Sequence, residues 1–257
     1  MGLFKNELYK LFHTRSLYLF FGIILLFMAL NVLGYTPGGS TGTTWTFTCG
    51  QSIPLALTEI YTQLMAFMVP LYAAGSFAGE YKQGTLKYTL LHPVGRTQLL
   101  AAKCAALLVF IALLTLFSVL AGYGLGTYQL GWGNSLEYGG RLYTTRQGIV
   151  MTVLSYLLLI PPCAAYGLFT VCAALLSGDT TAAILSSLGV SILGFNLNAL
   201  PAAAPYSLFY HMAYLNRFFI PTFVFPDGLI AIGMLLLYFG IFSSVSILIF
   251  KKKDILH

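Results

Sequence analysis

The sequence predicts an all-α polytopic membrane protein with six transmembrane helices. Of its 257 residues, 58% are hydrophobic and only 8% are charged, whereas about a quarter of an ordinary soluble domain is charged. Several apolar runs are long enough to form a helix of about 20 residues that crosses the hydrocarbon layer. The alternating segments of about ten residues that are typical of a membrane barrel are absent from the sequence. We expect one transmembrane domain over the whole chain, 1–257.

The chain begins with a predicted amphipathic helix, residues 3–15. Its apolar residues Phe4, Leu8, Leu11 and Phe12 recur at helical spacing, and its basic and amide residues lie largely elsewhere. A helix of this pattern lies in the membrane interface with its apolar face toward the lipid. We therefore expect 3–15 to be an interfacial helix that precedes the first span.

Six apolar runs predict the transmembrane spans, which are about 16–34, 54–78, 99–125, 149–176, 182–200 and 229–250. A polar loop, 127–147, separates the third span from the fourth. A tight turn, 177–180, joins the fourth span to the fifth, with Asp179 as a helix cap or a turn residue. The stretch 201–226 is apolar but contains four prolines, so we expect an outer re-entrant or interfacial hairpin rather than a seventh span.

The positive charges predict the orientation of these spans. One side of the predicted membrane has three cations, Arg141, Arg146 and Arg217. The opposite side has ten, which are Lys5, Lys10, Arg15, Lys82, Lys87, Arg96, Lys103, Lys251, Lys252 and Lys253. Because cytoplasmic loops are enriched in lysine and arginine, we expect the side with ten cations, and both termini, to be cytoplasmic. The net charge of +6 is thereby explained by topology, and no nucleic-acid partner is expected.

The cytoplasmic segment 80–98 carries the most informative local pattern. Glu80 is followed by the pair Gly84-Thr85, by a predicted short helix over 85–91, and by a turn from Pro93 to Arg96. A short helix that offers aromatic and leucine side chains among mobile cations is suited to docking in a groove of a soluble partner. The alternative is an ordinary positive loop that anchors the second and third spans.

This pattern, together with the layout of the spans, resembles the type-two ABC exporter permeases. The resemblance implies that two such subunits, identical or homologous, form the translocation path in a bacterial cell membrane and pair with two separate ABC ATPase subunits. It also implies that segment 80–98 couples to the ATPase. The residues that the resemblance assigns to this coupling are Glu80, Tyr81, Gly84, Thr85, Leu86, Tyr88, Leu90, Pro93 and Arg96.

Cofactor binding and catalysis are not expected in this chain. The Gly-x-x-x-x-Gly-Lys-Ser/Thr pattern of phosphate-binding loops does not occur, so ATP and Mg²⁺ would be bound by the ATPase partner. The four histidines lie in separate segments, and neither a catalytic group nor a metal-ligand spacing is found. The four cysteines are interpreted as small hydrophobic residues. The alternatives to an exporter are a membrane channel or enzyme, and a scaffold or immunity protein that does not transport.

Five polar residues toward the predicted outer side are candidates for the transport path. Glu59, Thr62 and Gln63 form a polar patch in the second span, and a carboxylate in a membrane usually faces protein or water. Two interpretations stay open for Glu59, which either lines an export path or lies near enough to the outer interface to reach water. His211 and Arg217 in the outer hairpin are candidates for an outer gate, or are solvated interfacial residues. For the cargo, the resemblance suggests a hydrophobic drug, an antimicrobial peptide or a lipid-like compound.

Overall fold

The structure, a computed structural model, describes residues 2–34, 49–80, 95–138, 141–220 and 224–252. Within these residues the chain forms nine α-helices and one β-hairpin. The helices are α1 Gly2–His13, α2 Arg15–Leu33, α3 Ile53–Ala56, α4 Thr58–Ala74, α5 Arg96–Leu130, α6 Thr145–Ser177, α7 Thr180–Leu197, α8 Leu208–Phe219 and α9 Asp227–Lys252. The strands are β1 Ser135–Tyr138 and β2 Arg141–Thr144. A π-helical turn, Gly75–Gly79, continues α4, and a 3₁₀ turn, Ala204–Tyr206, precedes α8.

Five of these helices are long and apolar enough to cross a membrane: α2, α5, α6, α7 and α9. Each matches a predicted span, so the prediction of an all-α polytopic membrane protein is confirmed at that level. The predicted second span, 54–78, is built differently, because α3, α4 and the π-helical turn succeed one another between Ile53 and Gly79. At 17 residues, α4 alone is about 26 Å long, slightly shorter than a hydrocarbon layer of about 30 Å.

Helix α6 lies at the centre of the bundle and packs against α4, α5, α7, α8 and α9. Its Tyr166 hydroxyl lies 2.9 Å from the Ser187 carbonyl oxygen of α7 and 3.2 Å from the Ala66 carbonyl oxygen of α4. Ten residues earlier in the same helix, the Tyr156 hydroxyl donates to the Pro54 carbonyl oxygen at 2.9 Å. Buried tyrosines of this kind combine a large apolar surface with one satisfied polar group, and here they join three helices that are distant in sequence.

The predicted turn between the fourth and fifth spans is confirmed. Gly178 ends α6 in the left-handed conformation, with φ at +65°, which glycine adopts at little cost. Asp179 follows as the N-cap of α7, where its carboxylate accepts a hydrogen bond from the Ala182 amide at 3.1 Å. The turn therefore reverses the chain with both helix ends satisfied.

The two ends of the bundle are held together by different sets of contacts. At one end, which we call the α1 end, α1 packs against α5, and Arg96 at the start of α5 donates to the Lys251 carbonyl oxygen near the end of α9 at 3.2 Å. At the opposite end, which we call the hairpin end, residues before α3 meet the residues after α5. The side-chain amide of Gln51 donates to the Gly133 carbonyl oxygen at 2.6 Å, and the backbone amide of Gly50 donates to the Gly131 carbonyl oxygen at 2.9 Å.

Two glycines allow the close contact at the hairpin end. A β-carbon added to Gly126 of α5 would overlap the Gly50 carbonyl oxygen and would lie 3.2 Å from Cβ of Ile53. A β-carbon added to Gly50 would overlap the Gly126 and Gly131 carbonyl oxygens. The backbones thus approach to a distance that only glycine permits.

The prediction of a loop over 127–147 was wrong in part, because much of this stretch is regular structure. Helix α5 continues to Leu130, and β1 and β2 pair antiparallel with Ser135 opposite Thr144 and Tyr138 opposite Arg141. Leu136 is fully buried and lies against Gly148 of α6. The hairpin is therefore fixed to the bundle by an apolar side chain, which an all-α prediction did not include.

The proline-rich stretch 201–226 contains α8, which packs against α4, α6, α7 and α9. With 12 residues, α8 is about 18 Å long, and it is too short to cross a hydrocarbon layer of about 30 Å. One face of α8, including Leu208, Phe209 and Met212, is buried in the bundle. The observed length agrees with the expectation that this stretch is not a seventh span.

Candidate functional site

Four charged side chains form a closed ring of ion pairs at the α1 end, which we call the charge ring. Lys10 of α1 lies 2.9 Å from Oε1 of Glu7 and 2.9 Å from Oε1 of Glu80. Lys103 of α5 lies 3.2 Å from Oε2 of Glu7 and 2.8 Å from Oε2 of Glu80. Each carboxylate therefore bridges both lysines, and the formal charges of the ring sum to zero.

The charge ring is largely withdrawn from solvent. The exposed fractions of the side chains are 0% for Lys103, 5% for Glu7 and 18% for Glu80, and only Lys10 is substantially exposed. Lys103 also donates to the Ser76 carbonyl oxygen at 2.9 Å, and its ammonium lies 5.5 Å from the centre of the Phe77 ring. An ammonium has three donors, and Glu7, Glu80 and Ser76 accept from all three.

The local structure explains how three separate segments reach this point. In α1, Glu7 and Leu11 are four residues apart and are both buried, so the side of α1 that faces the protein includes a carboxylate as well as leucines. The π-helical turn contributes Ser76 and Phe77 and ends immediately before Glu80. Single π-helical turns are rare and frequently occur at functional sites. The ring therefore joins α1, the end of the α4 segment and α5.

Burial and pairing act in opposite directions on the pKa values of the ring. Burial alone would raise the pKa of Glu80, but its ion pairs with Lys103 and Lys10 hold that pKa below its ordinary value of 4.5. Burial alone would lower the pKa of Lys10, but Glu80 and Glu7 together raise it above 10.5. Both groups are consequently charged over the physiological pH range.

We expect Glu80 to stabilise the protein above about pH 4.5 and to lose this effect in acid. Because the pKa of Glu80 is lower in the folded than in the unfolded state, the unfolded state binds more protons, and stability falls as pH decreases through the folded-state pKa. The measurement is thermal unfolding of the wild-type protein and of Glu80→Gln between pH 7 and pH 3. The difference between the two should shrink at the acid end, and a difference independent of pH would contradict the assignment.

Most of the residues predicted to couple to a partner lie outside the described residues. These are Tyr81, Gly84, Thr85, Leu86, Tyr88, Leu90 and Pro93. Glu80 belongs to the charge ring, directly before this stretch, and Arg96 begins α5 directly after it. The structure thus places the two ends of the predicted coupling segment, one in the ring and one at the Lys251 carbonyl.

A second ion pair lies toward the hairpin end and joins the predicted path to the predicted gate. Arg217 of α8 lies 2.7 Å from Oε1 of Glu59 at the start of α4, and its guanidinium lies 4.6 Å from the centre of the Tyr214 ring. Both side chains of the pair are 39% exposed. The carboxylate of Glu59 is therefore paired with a protein cation at the protein surface, an arrangement that is compatible with either sequence-based interpretation.

The other two predicted path residues, Thr62 and Gln63, lie on different sides of α4. Gln63 is exposed, and it shares the side of α4 that includes Glu59, Phe67 and Leu71, since residues four apart lie on one face. Thr62 is buried and donates to the Glu59 carbonyl oxygen at 2.8 Å. Thr62 therefore contributes to packing, and Glu59 and Gln63 are the two polar residues of the exposed face.

His211, the other predicted gate residue, lies in the interior. It is 1% exposed, and burial lowers its pKa, with a smaller opposing effect from the Pro205 carbonyl. Neither ring nitrogen makes a hydrogen bond of good geometry within the described part of the chain. His211 and Arg217 lie on different sides of α8, so the structure does not bring them together as one gate.

Two residues of the charge ring were missed as site residues by the sequence analysis. Glu7 received no role, and Lys103 was counted only as one of the cytoplasmic cations. Lys103 falls inside the apolar run of the third predicted span, and a charged residue in that position indicates a buried partner. Among the residues that the structure describes, no cluster of three or more His, Cys, Asp or Glu side chains is placed to bind a metal. The four cysteines are free thiols.

The fold and these sites define a polytopic α-helical membrane protein with a buried charge ring at one end of its bundle and an ion pair toward the other. The chain belongs to the DUF2705 family, described as proteins of unknown function, whose model matches residues 7–256. The match spans α2 to α9 and most of α1, including all four residues of the charge ring. No curated protein matches the sequence.

Proposed function

We propose that this chain is the transmembrane subunit of an ABC exporter in the bacterial cell membrane. In this proposal two permease subunits form the translocation path, and ATP and Mg²⁺ bind to separate ATPase subunits. The segment made of α3, α4 and the π-helical turn is the second of six spans. The cargo is a hydrophobic drug, an antimicrobial peptide or a lipid-like compound, as in the permeases that the sequence resembles.

The observation that carries the proposal is the charge ring. Residues 81–94, the part of the predicted coupling segment 80–98 that lies outside the described residues, are flanked in sequence by the α4 segment and by α5. The ring connects both flanks to each other and to α1 through Glu80, Lys103 and Glu7. A displacement of 81–94 would therefore be transmitted to α1, α4 and α5 together. Buried and fully paired networks are rigid in this sense, because they have few alternative arrangements.

A cavity beside the ring gives α1 room to move. It has a volume of about 620 Å³ and lies between α1, α2 and the α4 segment. Glu7, Lys10 and Glu80 line its polar side, and Phe20 and Leu71 are among its apolar lining residues. Close-packed elements move only in concert with their neighbours, so an element beside a cavity is suited to a conformational change.

The exposed face of α4 supports an interface with a second permease subunit. Glu59, Gln63 and Phe67 recur at four-residue spacing along it and are exposed or partly exposed. Leu71 and Gly75 continue the same series into the cavity beside the charge ring. Polar groups within a membrane usually face protein or water rather than lipid. A path between two such faces would be polar toward the hairpin end, at Glu59 and Gln63, and apolar further along.

The distribution of charge supports cytoplasmic termini. The described cations at the α1 end include Lys5, Lys10, Arg15, Arg96, Lys103 and Lys251, and those at the hairpin end are Arg141, Arg146 and Arg217. By the positive-inside rule, the α1 end with residues 81–94 would face the cytoplasm, where a soluble ATPase could reach it.

The test is copurification with candidate ATPases expressed from the same source, followed by ATP hydrolysis in lipid nanodiscs. The variants are Leu86→Ala in the predicted docking segment and Glu80→Gln in the charge ring. Arg141→Gln is the matched control, since it changes an exposed cation at the hairpin end. We expect Leu86→Ala to weaken the complex and Glu80→Gln to leave the complex intact but to reduce its hydrolysis or transport by about tenfold, the effect of 1.4 kcal/mol on a coupling equilibrium.

Each alternative function gives a different result in this test. A channel or a membrane enzyme would form no complex with an ATPase and would be indifferent to Leu86→Ala. A scaffold or immunity protein would bind its target in either variant and show no ATP-dependent transport. Any of these outcomes would contradict the exporter proposal.

A further inference from the structure

An apolar slot lies between α5, α6 and α9 toward the α1 end, separate from the charge ring and from the Glu59–Arg217 pair. Its volume is about 340 Å³. Leu100 and Leu107 of α5, Leu168 of α6 and Phe239 and Ile247 of α9 supply much of its wall. Such a slot fits a hydrocarbon chain better than a polar ligand.

The two serine hydroxyl groups of the slot are already satisfied within the protein, and the third hydroxyl group, that of Thr97, lies beside Arg96 at the α1 end. Ser243 donates to the Phe239 carbonyl oxygen one turn earlier in α9, and Ser246 pairs with the Cys172 thiol at 3.0 Å. These side chains therefore offer little hydrogen bonding to an occupant. The interior of the slot presents carbon atoms, and any polar group of an occupant has to lie at its mouth.

Two cations, Arg96 and Lys251, lie at the mouth of the slot, which is its end nearest the α1 end of the bundle. Four-residue spacing places each cation on the same helix face as the slot residues that follow or precede it. On α5 this series consists of Arg96, Leu100, Cys104 and Leu108. On α9 it consists of Phe239, Ser243, Ile247 and Lys251. Lys251 is thus one helical turn beyond the slot, and Arg96 directly precedes the lining residue Thr97. The contact between the Arg96 guanidinium and the Lys251 carbonyl oxygen, at 3.2 Å, holds the two helix ends together there.

We propose that this slot is a binding site for an anionic phospholipid, with an acyl chain between α5, α6 and α9 and the phosphate at Arg96 and Lys251. A guanidinium presents several donors in a planar fork that matches a phosphate group, and a lysine ammonium adds a second positive charge. Basic residues beside apolar surfaces at a membrane interface favour anionic headgroups over zwitterionic ones. The site is independent of the exporter proposal, since it requires neither a partner ATPase nor a second permease.

The experiment is quenching of a tryptophan placed in the slot by phospholipids with brominated acyl chains. The reporter is Leu108→Trp in a background in which Trp45 and Trp132, the two native tryptophans, are replaced by phenylalanine. Nanodiscs of phosphatidylcholine receive increasing fractions of brominated phosphatidylglycerol or brominated phosphatidylcholine. We expect half-quenching at a clearly lower fraction of phosphatidylglycerol, with the preference reduced about fivefold by loss of either cation.

Three controls make the result specific. Leu116→Trp places the reporter two turns further along α5, at an exposed position outside the slot, where both brominated lipids should quench equally. Arg96→Gln and Lys251→Gln should each reduce the preference at Leu108→Trp. Arg15→Gln removes another exposed cation at the α1 end and should not. If Arg96→Gln does not fold, Lys251→Gln gives the same test at the exposed end of α9.

Two outcomes would overturn the proposal. Equal quenching of Leu108→Trp by the two lipids would show that the slot holds any acyl chain without regard to the headgroup. An effect of Arg15→Gln as large as that of Lys251→Gln would show that the preference arises from the general positive potential of this end of the protein.

Discussion

Replacing Lys103 with methionine is expected to lower the free energy of unfolding by about 3–5 kcal/mol, the range for removing one partner of a buried ion pair. The side chain of Lys103 is completely buried and pairs with Glu7 and Glu80. Methionine fills a similar volume, so the loss is electrostatic rather than a cavity effect. Two carboxylates, one of them 5% exposed, would then have Lys10 as their shared cation within the ring.

The measurement is unfolding by denaturant in mixed micelles, with Lys5→Met as the matched control. Lys5 is an exposed lysine of α1, and its replacement should change stability by less than about 1 kcal/mol. A second variant tests the mechanism. Adding Glu7→Gln to Lys103→Met removes one of the buried negative charges and should recover part of the loss, because coupled partners are not additive. Equal losses in the single and double variants would refute the ring as an electrostatic unit.

Replacing Gly126 with alanine is expected to destabilise the protein by about 1–3 kcal/mol, the usual cost of overpacking. A β-carbon at this position would overlap the Gly50 carbonyl oxygen. Since the obstacle is backbone rather than the end of a flexible side chain, the segment before α3 has to move away from α5. The Gly50 amide, which donates to the Gly131 carbonyl oxygen, would be displaced with it.

Gly124 provides the matched control two residues earlier in α5. It is exposed, and a β-carbon there has open space around it. Gly124→Ala should therefore leave stability unchanged or raise it by about 0.4–1 kcal/mol through the unfolded state. The two variants are compared by thermal unfolding in the same detergent. Equal stabilities for Gly124→Ala and Gly126→Ala would contradict the close approach of the two backbones.

The sequence was sufficient to locate the long helices, because their signal is length and hydropathy alone. The first predicted span, 16–34, corresponds to Arg15–Leu33, and the last, 229–250, lies within Asp227–Lys252. The predicted third span, 99–125, underestimates α5, which runs from Arg96 to Leu130. An apolar run predicts only the apolar part of a helix, whereas backbone hydrogen bonds continue the helix into the more polar residues beyond it.

The pairing of charges could not be predicted, because it depends on tertiary structure. Arg217 and Glu59 are 158 positions apart, and Lys103 and Glu7 are 96 positions apart. In one dimension Glu7 resembles any acidic residue on the polar side of an amphipathic helix. Only the packing of α1 against α5 brings the side of α1 that contains Glu7 and Leu11 toward Lys103. The sequence did contain one usable signal, which was the position of Lys103 within an apolar run.

The β-hairpin was missed for a different reason. Its strands have four residues each, which is too short for an alternating pattern to be distinguished from a polar loop. One of its anchors is the buried Leu136, which packs against a glycine of α6. Neither feature stands out without knowledge of which helix ends lie nearby.

The uninterrupted helix α5 connects the two ends of the bundle. Lys103 and Gly126 are 23 residues apart on one helix, which corresponds to about 35 Å along its axis. The first is held by ion pairs and the second by backbone contact, so neither end slides easily against its neighbours. A tilt of about 5° about the charge ring would carry Gly126, together with the Gly50 segment packed against it, sideways by about 3 Å over that length. An event at one membrane surface would in this way reach the opposite surface through one rigid rod, without any chain of side-chain rearrangements between them.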